Sequence, residues 1–344
     1  MTKILIFILI LCCTPLTLMF GPSTMYVDAK QPSENPITIK LTSSQAGPLE
    51  SDSVRMGIPS VNYKGTILLH SPHPAFGGFS DLLVSKDRKS FLAVSDMGFW
   101  MKAEMKYSAS GYLTGVSSKA QLGQLLNTDG KTYAIKFNAD AEGLSRAPDS
   151  GYLVSFERVH RVNQFKNKDD LTLEGTPIDF KIPEKTKKMQ ENSGIESLLL
   201  LPDQTLFILA EGDERKGSLS YAAILEKSKW TEFNYLRSDD YRPTSAGNLP
   251  DNEILILERR YTGPGSLGIR FRKFSANKIE KNIKIIPEKF FELKPPIPRD
   301  NYEGLDTVTT ADGRTYIYII SDDNFSPMQH TLLTLIELLP PDKK

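Results

Sequence analysis

Short apolar runs, each closed by an acidic residue, recur along the chain and set its rhythm. Phe91–Ser95 ends at Asp96, Tyr152–Phe156 at Glu157, Leu206–Ala210 at Glu211, Ile254–Leu257 at Glu258 and Tyr316–Ser321 at Asp322. A shorter run precedes each across a turn: Leu82–Val84, Leu198–Leu200 and Val308–Thr309 are examples. The turns between carry strong turn formers, among them Lys86-Asp87-Arg88, Pro202-Asp203-Gln204, Pro250-Asp251-Asn252 and Ala311-Asp312-Gly313. β-Rich runs separated by such residues predict hairpins. Asp149, Asp203, Asp251 and Asp312 therefore read as turn formers rather than as chemistry.

The phrase that opens each hairpin also repeats. Asn138-Ala139-Asp140-Ala141-Glu142-Gly143-Leu144 is the clearest copy, and Asn192-Ser193-Gly194-Ile195-Glu196 and Asn301-Tyr302-Glu303-Gly304-Leu305 match it. Phe79-Ser80-Asp81-Leu82 and Thr244-Ser245-Ala246-Gly247-Asn248 are weaker. The units start near residues 80, 142, 196, 245 and 303, at intervals of 62, 54, 49 and 58. A period of this size predicts the blades of an all-β propeller. Six blades are expected, with five or seven as the alternatives: the first interval has room for a degenerate unit. The N-terminal strand 63–70 and the C-terminal strand Leu332–Leu338 would close the ring. Helical periodicity is confined to 117–126 and 184–192.

Residues 1–29 read as a signal peptide: Lys3, then the apolar Ile4–Phe20, then a small-residue cleavage site at Val27-Asp28-Ala29. Residues 30–58 read as a polar tail with a first strand near 37–41, and 59–344 as the propeller domain. This implies a periplasmic or secreted protein with no stable membrane insertion after cleavage; a lipoprotein is the lesser alternative, because Leu11 before Cys12 fits lipidation badly. Both cysteines, Cys12 and Cys13, lie in the signal, so the mature chain holds no disulfide, thiolate metal site or cysteine nucleophile. Lys+Arg and Asp+Glu balance at 42 each, which argues against a nucleic-acid partner. A monomer acting on a small molecule is expected.

In a propeller the innermost strands line a central channel, so acids at one register face a shared space. The candidates are Asp81, Asp96, Asp140, Glu142, Glu157, Glu196, Glu211, Glu258, Glu303, Asp322 and Asp323. Like charges crowded together call for a cation or for basic partners. An oxygen-only donor set suits Ca²⁺. Arg158, Arg161, Arg215, Arg259 and Arg260 follow the second acids and can also fork onto an anionic substrate. Alternatively the acids cap turns or tie blades together.

These residues carry a resemblance. Asp140–Leu144, Asn192–Glu196, Asn301–Leu305 and Ser321-Asp322-Asp323-Asn324-Phe325 with Gln329-His330-Thr331 resemble the phytase-like family, also described by its esterase-like activity of phytase. The resemblance spans roughly residues 60–340. It implies a β-propeller that hydrolyses phosphate or carboxylic esters, with Ca²⁺ as the metal. The chain departs from it at Met97, where similar sequences carry a basic residue.

Two readings follow. In the first, Glu142, Glu196 and Glu303 are the catalytic carboxylates and His330 a further base. Asp96, Asp140, Glu157, Glu211, Asp322 and Asp323 hold metal, and Arg158 and Arg259 hold an anionic ester. Trp100 and Tyr107 are candidates for a rim platform. Nucleophilic catalysis is disfavoured, because 263–268 has a serine without the G-x-S-x-G spacing. In the second reading the protein is a catalytically silent periplasmic binding or scaffold propeller, its channel filled by arginine–carboxylate pairs.

Overall fold

The computed structural model describes residues 35–50, 52, 54, 56–166, 171–212 and 217–340. The expected signal peptide, 1–29, and Arg215 lie outside the described residues. Among those described, the strands form five sheets, each a run of neighbouring, almost wholly antiparallel strands. Their inner strands are Phe79–Val84, Ala141–Arg146, Ile195–Leu200, Arg242–Leu249 and Tyr302–Thr309. Each touches the next, and the fifth touches the first, so the sheets are blades 1 to 5 of a closed propeller. Five is the smaller of the expected alternatives. The wide first interval holds the long strands Phe99–Tyr107 and Leu113–Gln124 and a crossover rather than a hidden blade.

The ring closes by mixing the chain's two ends. Val61–His70 pairs with Leu332–Leu338, with Ile67 opposite Leu333, inside blade 5. Thr42–Gln45 extends the outer edge of that blade, and Ile37–Lys40 crosses to pair with Lys119–Leu122 at the edge of blade 1. The polar segment before residue 58 thus supplies edge strands to both blades at the seam. The expected helix at 117–126 is strand: Ala120 and Leu122 are buried while Lys119 and Gln121 are exposed, a period of two that the pairing with Phe99–Tyr107 satisfies. The expected helix at 184–192 reduces to one turn, Thr186–Lys188.

The core is five wedges, one at each blade interface. Leu83, Leu92, Val94 and Trp100 of blade 1 pack on Leu144, Tyr152, Val154 and Phe156 of blade 2. Leu153 and Val162 meet Leu198, Leu206 and Ile208 of blade 3, and Phe207, Leu209 and Phe233 meet Ile254, Ile256 and Phe274 of blade 4. Leu255, Leu257 and Phe271 meet Ile317, Ile319 and Ile336 of blade 5, whose Tyr318 and Ile320 complete the circuit against Phe79, Phe91 and Met101. A sheet covered on both faces buries successive side chains on its two sides. That explains why the second strand of every blade reads as a continuous apolar run. Each fully buried Leu, Ile or Phe contributes roughly 1.5–3 kcal/mol, which lets a protein with no cysteine in its described residues hold a ring this size.

Every inner strand breaks register at the same place. The shifts fall between Phe79 and Asp81, Ala141 and Leu144, Ile195 and Ser197, Pro243 and Ser245, and Tyr302 and Gly304. A bulge inserts one unpaired residue, bends the strand and re-aims its side chain. The residues so placed are Ser80, Glu142, Glu196, Thr244 and Glu303.

One residue further along each strand the blades meet at the axis. Asp81 is buried there and ties blades together: Oδ1 accepts from Leu82 N at 2.9 Å, Ser245 Oγ at 3.0 Å and Leu305 N at 3.1 Å, and Oδ2 accepts from Leu144 N at 2.8 Å. The approach leaves no room for side chains on the neighbours. A Cβ on Gly304 would lie 2.7 Å from the Asp81 Cα, and one on Gly143 would lie 2.8 Å from the Glu196 carbonyl oxygen. Asp81, a channel candidate by sequence, is therefore a hub. Beyond it the channel widens into a cavity of about 370 Å³ lined by residues of several inner strands, including Leu83, Arg146, Leu198, Asn248 and Asp306.

Candidate functional site

On the other side of the hub the bulges set one tier of the channel mouth: Ser80, Glu142, Glu196, Thr244 and Glu303. The residue that follows the second strand's last pairing sets another. The N–H groups of Asp96, Glu157, Glu211 and Asp322 donate to the carbonyls of Gly78, Asp140, Gly194 and Asn301, so these four acids are equivalent. Blade 4 breaks the series. Pro243 pairs with Glu258, as Ala141 pairs with Phe156, so the equivalent of Glu157 is Arg259. Glu258 turns to the opposite face of the sheet, because adjacent strand residues alternate. It is fully buried away from the mouth, with Tyr235 Oη at 2.8 Å, Arg270 Nε at 2.5 Å and Arg272 Nη1 at 3.6 Å. The candidacy of Glu258 for the channel is thereby corrected.

Two residues before each bulge lie Gly78, Asp140, Gly194, Arg242 and Asn301. The blades thus differ in sign. Blade 2 presents Asp140, Glu142 and Glu157, whose carboxylate oxygens lie within 4.8 Å of one another. Blade 4 presents Arg242, Thr244 and Arg259. Blade 5 presents Asn301, Glu303 and Asp322, with Asp323 next.

Several of these charges are paired. Arg158 Nε bonds Asp140, Lys136 Nζ bonds Asp96 and lies 3.6 Å from Asp140, Arg242 lies 3.2 Å from Glu211, and Arg259 lies 3.7 Å from Glu303. Asn301 Nδ2 donates to Glu303 at 2.7 Å, and Gly194 N donates to Glu157 at 3.1 Å. Gly78 N and Thr331 Oγ1 donate to the two oxygens of Asp323, at 3.0 and 2.9 Å, and Asn324 N donates to Asp322 at 2.6 Å. Glu142 and Glu196 have no side-chain hydrogen bond or ion pair to any described residue, although both are partly buried. Asp96 Oδ1, buried, is also without a partner.

Burial and mutual repulsion push these acids up. Burial first, then Glu196 and Asp140, raise the Glu142 carboxyl well above the ordinary range. Burial, then Glu157 and Glu211, do the same to Glu196. Glu157 is pushed up to about 7 by burial, against the pull of the Gly194 amide, and Glu303 to about 7 by burial, against Arg259 and Asn301. Asp322 reaches about 9 through burial and then Glu303. Acids that would rather stay neutral, yet face one another, form a set that a cation would relieve. The donors are all oxygens, and the cluster of Asp140, Glu142 and Glu157 fits a hard cation such as Ca²⁺.

The structure brings Glu142, Glu196, Glu303, Asp96, Asp140, Glu157, Glu211, Asp322, Asp323, Arg158 and Arg259 to one mouth, but leaves others aside. His330 lies on the rim, about half-exposed, with its Nδ1 3.3 Å from Asp300 and no contact with the acids of the mouth. His160 bonds the Gln190 carbonyl, and the His73 ring accepts from Ala75 N. Arg161 bonds the carbonyls of Val159 and Asn138 and covers the Phe156 ring. Trp100 is wholly buried, and Tyr107 bonds Arg88 and Tyr318 toward the far rim, so neither is a platform. Sequence reasoning missed Lys136, Arg242 and Asn301. Lys136 supplies the positive partner to Asp96 that Met97 does not. Arg242 stands two residues before Thr244 as Asp140 stands two before Glu142, a signal that alignment on the bulge would have found.

The family model described as phytase-like, esterase-like activity of phytase, matches residues 74–325. Among solved structures, one with a provisional gluconolactonase assignment is 14% identical with a TM-score of 0.41, covering 87% of this chain and 88% of its own. An α-L-arabinofuranosidase from Podospora anserina, in complex with cellotriose, is 10% identical with a TM-score of 0.44, covering 88% of this chain and 98% of its own. No curated protein matches the chain. Among the described residues no helix is long and apolar enough to cross a membrane.

Proposed function

The chain belongs to the phytase-like family, and on that premise we propose that it is an exported hydrolase of phosphate or carboxylic esters, assisted by Ca²⁺, working at the acidic mouth of the propeller. One observation carries the reading. Glu142, on the acidic blade 2, and Glu196, on blade 3 between it and the basic blade 4, are re-aimed by their bulges and partly buried, with no hydrogen bond or ion pair to a described residue.

The residues divide the work by blade. Arg259 and Arg242 of blade 4 receive the polar or anionic oxygen of the ester, with Arg158 as a further contact from blade 2. Glu196, raised and unpaired, takes a proton from the attacking water as general base. The water oxygen joins the carbonyl carbon or phosphorus, the ester bond breaks, and the leaving oxygen collects a proton. Glu303 is suited to supply it: at about 7 it is part-protonated near neutrality, and Arg259 and Asn301 orient it. A calcium ion, when bound by Asp140, Glu142 and Glu157, would supply positive charge against the ester oxygen.

A panel of aryl phosphates and carboxylic esters, with Ca²⁺ or with EDTA, tests the proposal. We expect turnover that EDTA suppresses and that Glu196→Gln lowers by about 10²–10⁴-fold with the melting temperature kept. No turnover of any ester, with or without Ca²⁺, would sink it. The second reading, a silent binding propeller, draws on the pairs Arg158–Asp140, Lys136–Asp96, Arg242–Glu211 and Arg259–Glu303. Against it, the carboxylates of the mouth outnumber these four bases.

A further inference from the structure

The mouth is acidic inside and apolar around its edge. Of the nine exposed large hydrophobic residues among those described, six sit beside the channel acids: Ile135, Phe137, Val159, Tyr261, Phe325 and Met328. Ile135 and Phe137 flank Lys136 just before Asp140, and Val159 follows Arg158. Tyr261 follows Arg260, and Phe325 and Met328 lie in the loop after Asp323. Contacts tie two of them to the site. A Cβ on Gly78 would collide with both the Phe325 ring and the Asp96 carboxylate, and the Phe137 ring lies 6.0 Å from the Arg158 guanidinium. The far rim, made of the hairpin turns, carries fewer: Leu49, next to the Glu50 that bonds Ser110, and Ile178 at the end of an edge strand.

Exposed apolar groups gathered around a polar pocket, and sparser on the opposite rim, mark a surface that an apolar group covers. The charge of the mouth narrows the choice. Surplus carboxylates repel an anionic lipid surface and a polyanionic substrate, but not the uncharged linkage of a carboxylic ester. We infer that the rim takes the acyl chain of an amphiphilic carboxylic ester, alkyl or aryl, whose carbonyl reaches the tier of Glu142, Glu196 and Glu303. This rests on the ester-hydrolase reading and names its substrate class. Water adds to the acyl carbon, the carbon–oxygen bond to the alcohol breaks, and a free carboxylic acid and an alcohol leave.

The test is a chain-length series of p-nitrophenyl acetate, butyrate and octanoate on the wild-type protein and on Phe325→Ser, Phe137→Ser and Met328→Ser. A chain half-covered by an open rim gains about twofold in kcat/KM per methylene, or roughly 50-fold from acetate to octanoate. The variants should cut that octanoate-to-acetate ratio at least fivefold. A ratio near one overturns the inference while turnover of acetate leaves the hydrolase reading standing. If no ester is turned over, the hydrolase reading fails, and calorimetry with octyl methyl ketone and ethyl methyl ketone decides. Tighter binding of the octyl ketone, weakened by the rim variants, supports an acyl-chain rim, and equal binding overturns it. Rim-dependent sedimentation with phosphatidylcholine vesicles, with no dependence on ester chain length, would assign the rim to a membrane surface and also overturn it.

Discussion

Removing the Asp81 carboxylate should loosen the propeller at its axis rather than alter its chemistry. Its two oxygens take four donors from four strand positions: Leu82 and Ser245 with Leu305 on Oδ1, Leu144 on Oδ2. Asp81→Asn keeps one acceptor. Its amide must then face either the Leu144 N–H or the other three donors, and the better choice leaves one backbone N–H and one amide N–H buried and unpaired. Each such group costs about 1–3 kcal/mol, so about 2–6 kcal/mol of destabilisation is expected. Asp81→Ala strands three backbone donors, and Ser245 can turn only to the Leu305 carbonyl at 3.4 Å. The same arithmetic gives roughly 3–9 kcal/mol, comparable to the whole stability of an ordinary domain. Urea unfolding, followed by circular dichroism, reads both. Ser245→Ala is the internal control, since it removes one neutral donor and should cost about 1 kcal/mol. If Asp81→Ala unfolds within 1 kcal/mol of wild type, the hub argument is wrong. If it stays folded and loses activity alone, Asp81 belongs to the chemistry instead.

The remaining predictions concern charge. In cation-free protein Glu157 and Glu303, with carboxyls pushed up to about 7, are favoured in the protonated form by folding; their stabilisation is full below their ordinary value near 4.5 and is lost as pH rises through 7. Melting temperature in EDTA should therefore fall between pH 5 and pH 8, by the equivalent of about 5 kcal/mol for the two groups together, and millimolar Ca²⁺ should restore it. A rise with pH, or no response to Ca²⁺, refutes the cation reading; Glu142→Gln should stabilise the cation-free form at pH 8 yet lose the Ca²⁺ response. Arg259→Gln should raise KM for anionic esters and move the Glu303 carboxyl further up, shifting the alkaline limb of the rate profile to higher pH; an unchanged profile would remove Glu303 from the proton path. Arg270→Met leaves Glu258 buried without its main partner and should cost roughly 3–5 kcal/mol with no effect on kcat, checked by denaturation and steady-state rates.

The propeller was legible because burial on both faces of each second strand leaves an unbroken apolar run, such as Leu206–Ala210, that no solvent-facing sheet would show. The acids were legible because bulge and strand end recur at fixed spacing in blades 2 and 3. Blade 4 was misread at one residue. Its bulge carries Thr244 instead of an acid, and its second strand, Glu253–Arg260, runs on past the usual end. With no acid to anchor the frame, the run drew attention to Glu258, and a slip of one residue exchanges the channel for the blade interface. The extra blade was expected because a chain interval does not distinguish a longer strand pair from a new sheet. The pairings of Lys136 with Asp96 and of Arg242 with Glu211 join different blades, so no local pattern contains them.

The five bulges separate what the protein is from what it does. A bulged residue gives nothing to the strand ladder, so its identity is free of the constraints that fix its neighbours, where Gly143 and Gly304 admit no substitute side chain. The mouth is in effect a five-letter word, Ser-Glu-Glu-Thr-Glu at 80, 142, 196, 244 and 303, spelled on a frame that does not depend on the spelling. Descendants of such a ring can exchange letters one at a time and acquire new specificities without passing through an unfolded intermediate. The same property makes it a scaffold for directed evolution, with Glu142, Glu196 and Glu303 as the three partly exposed positions where a library would begin.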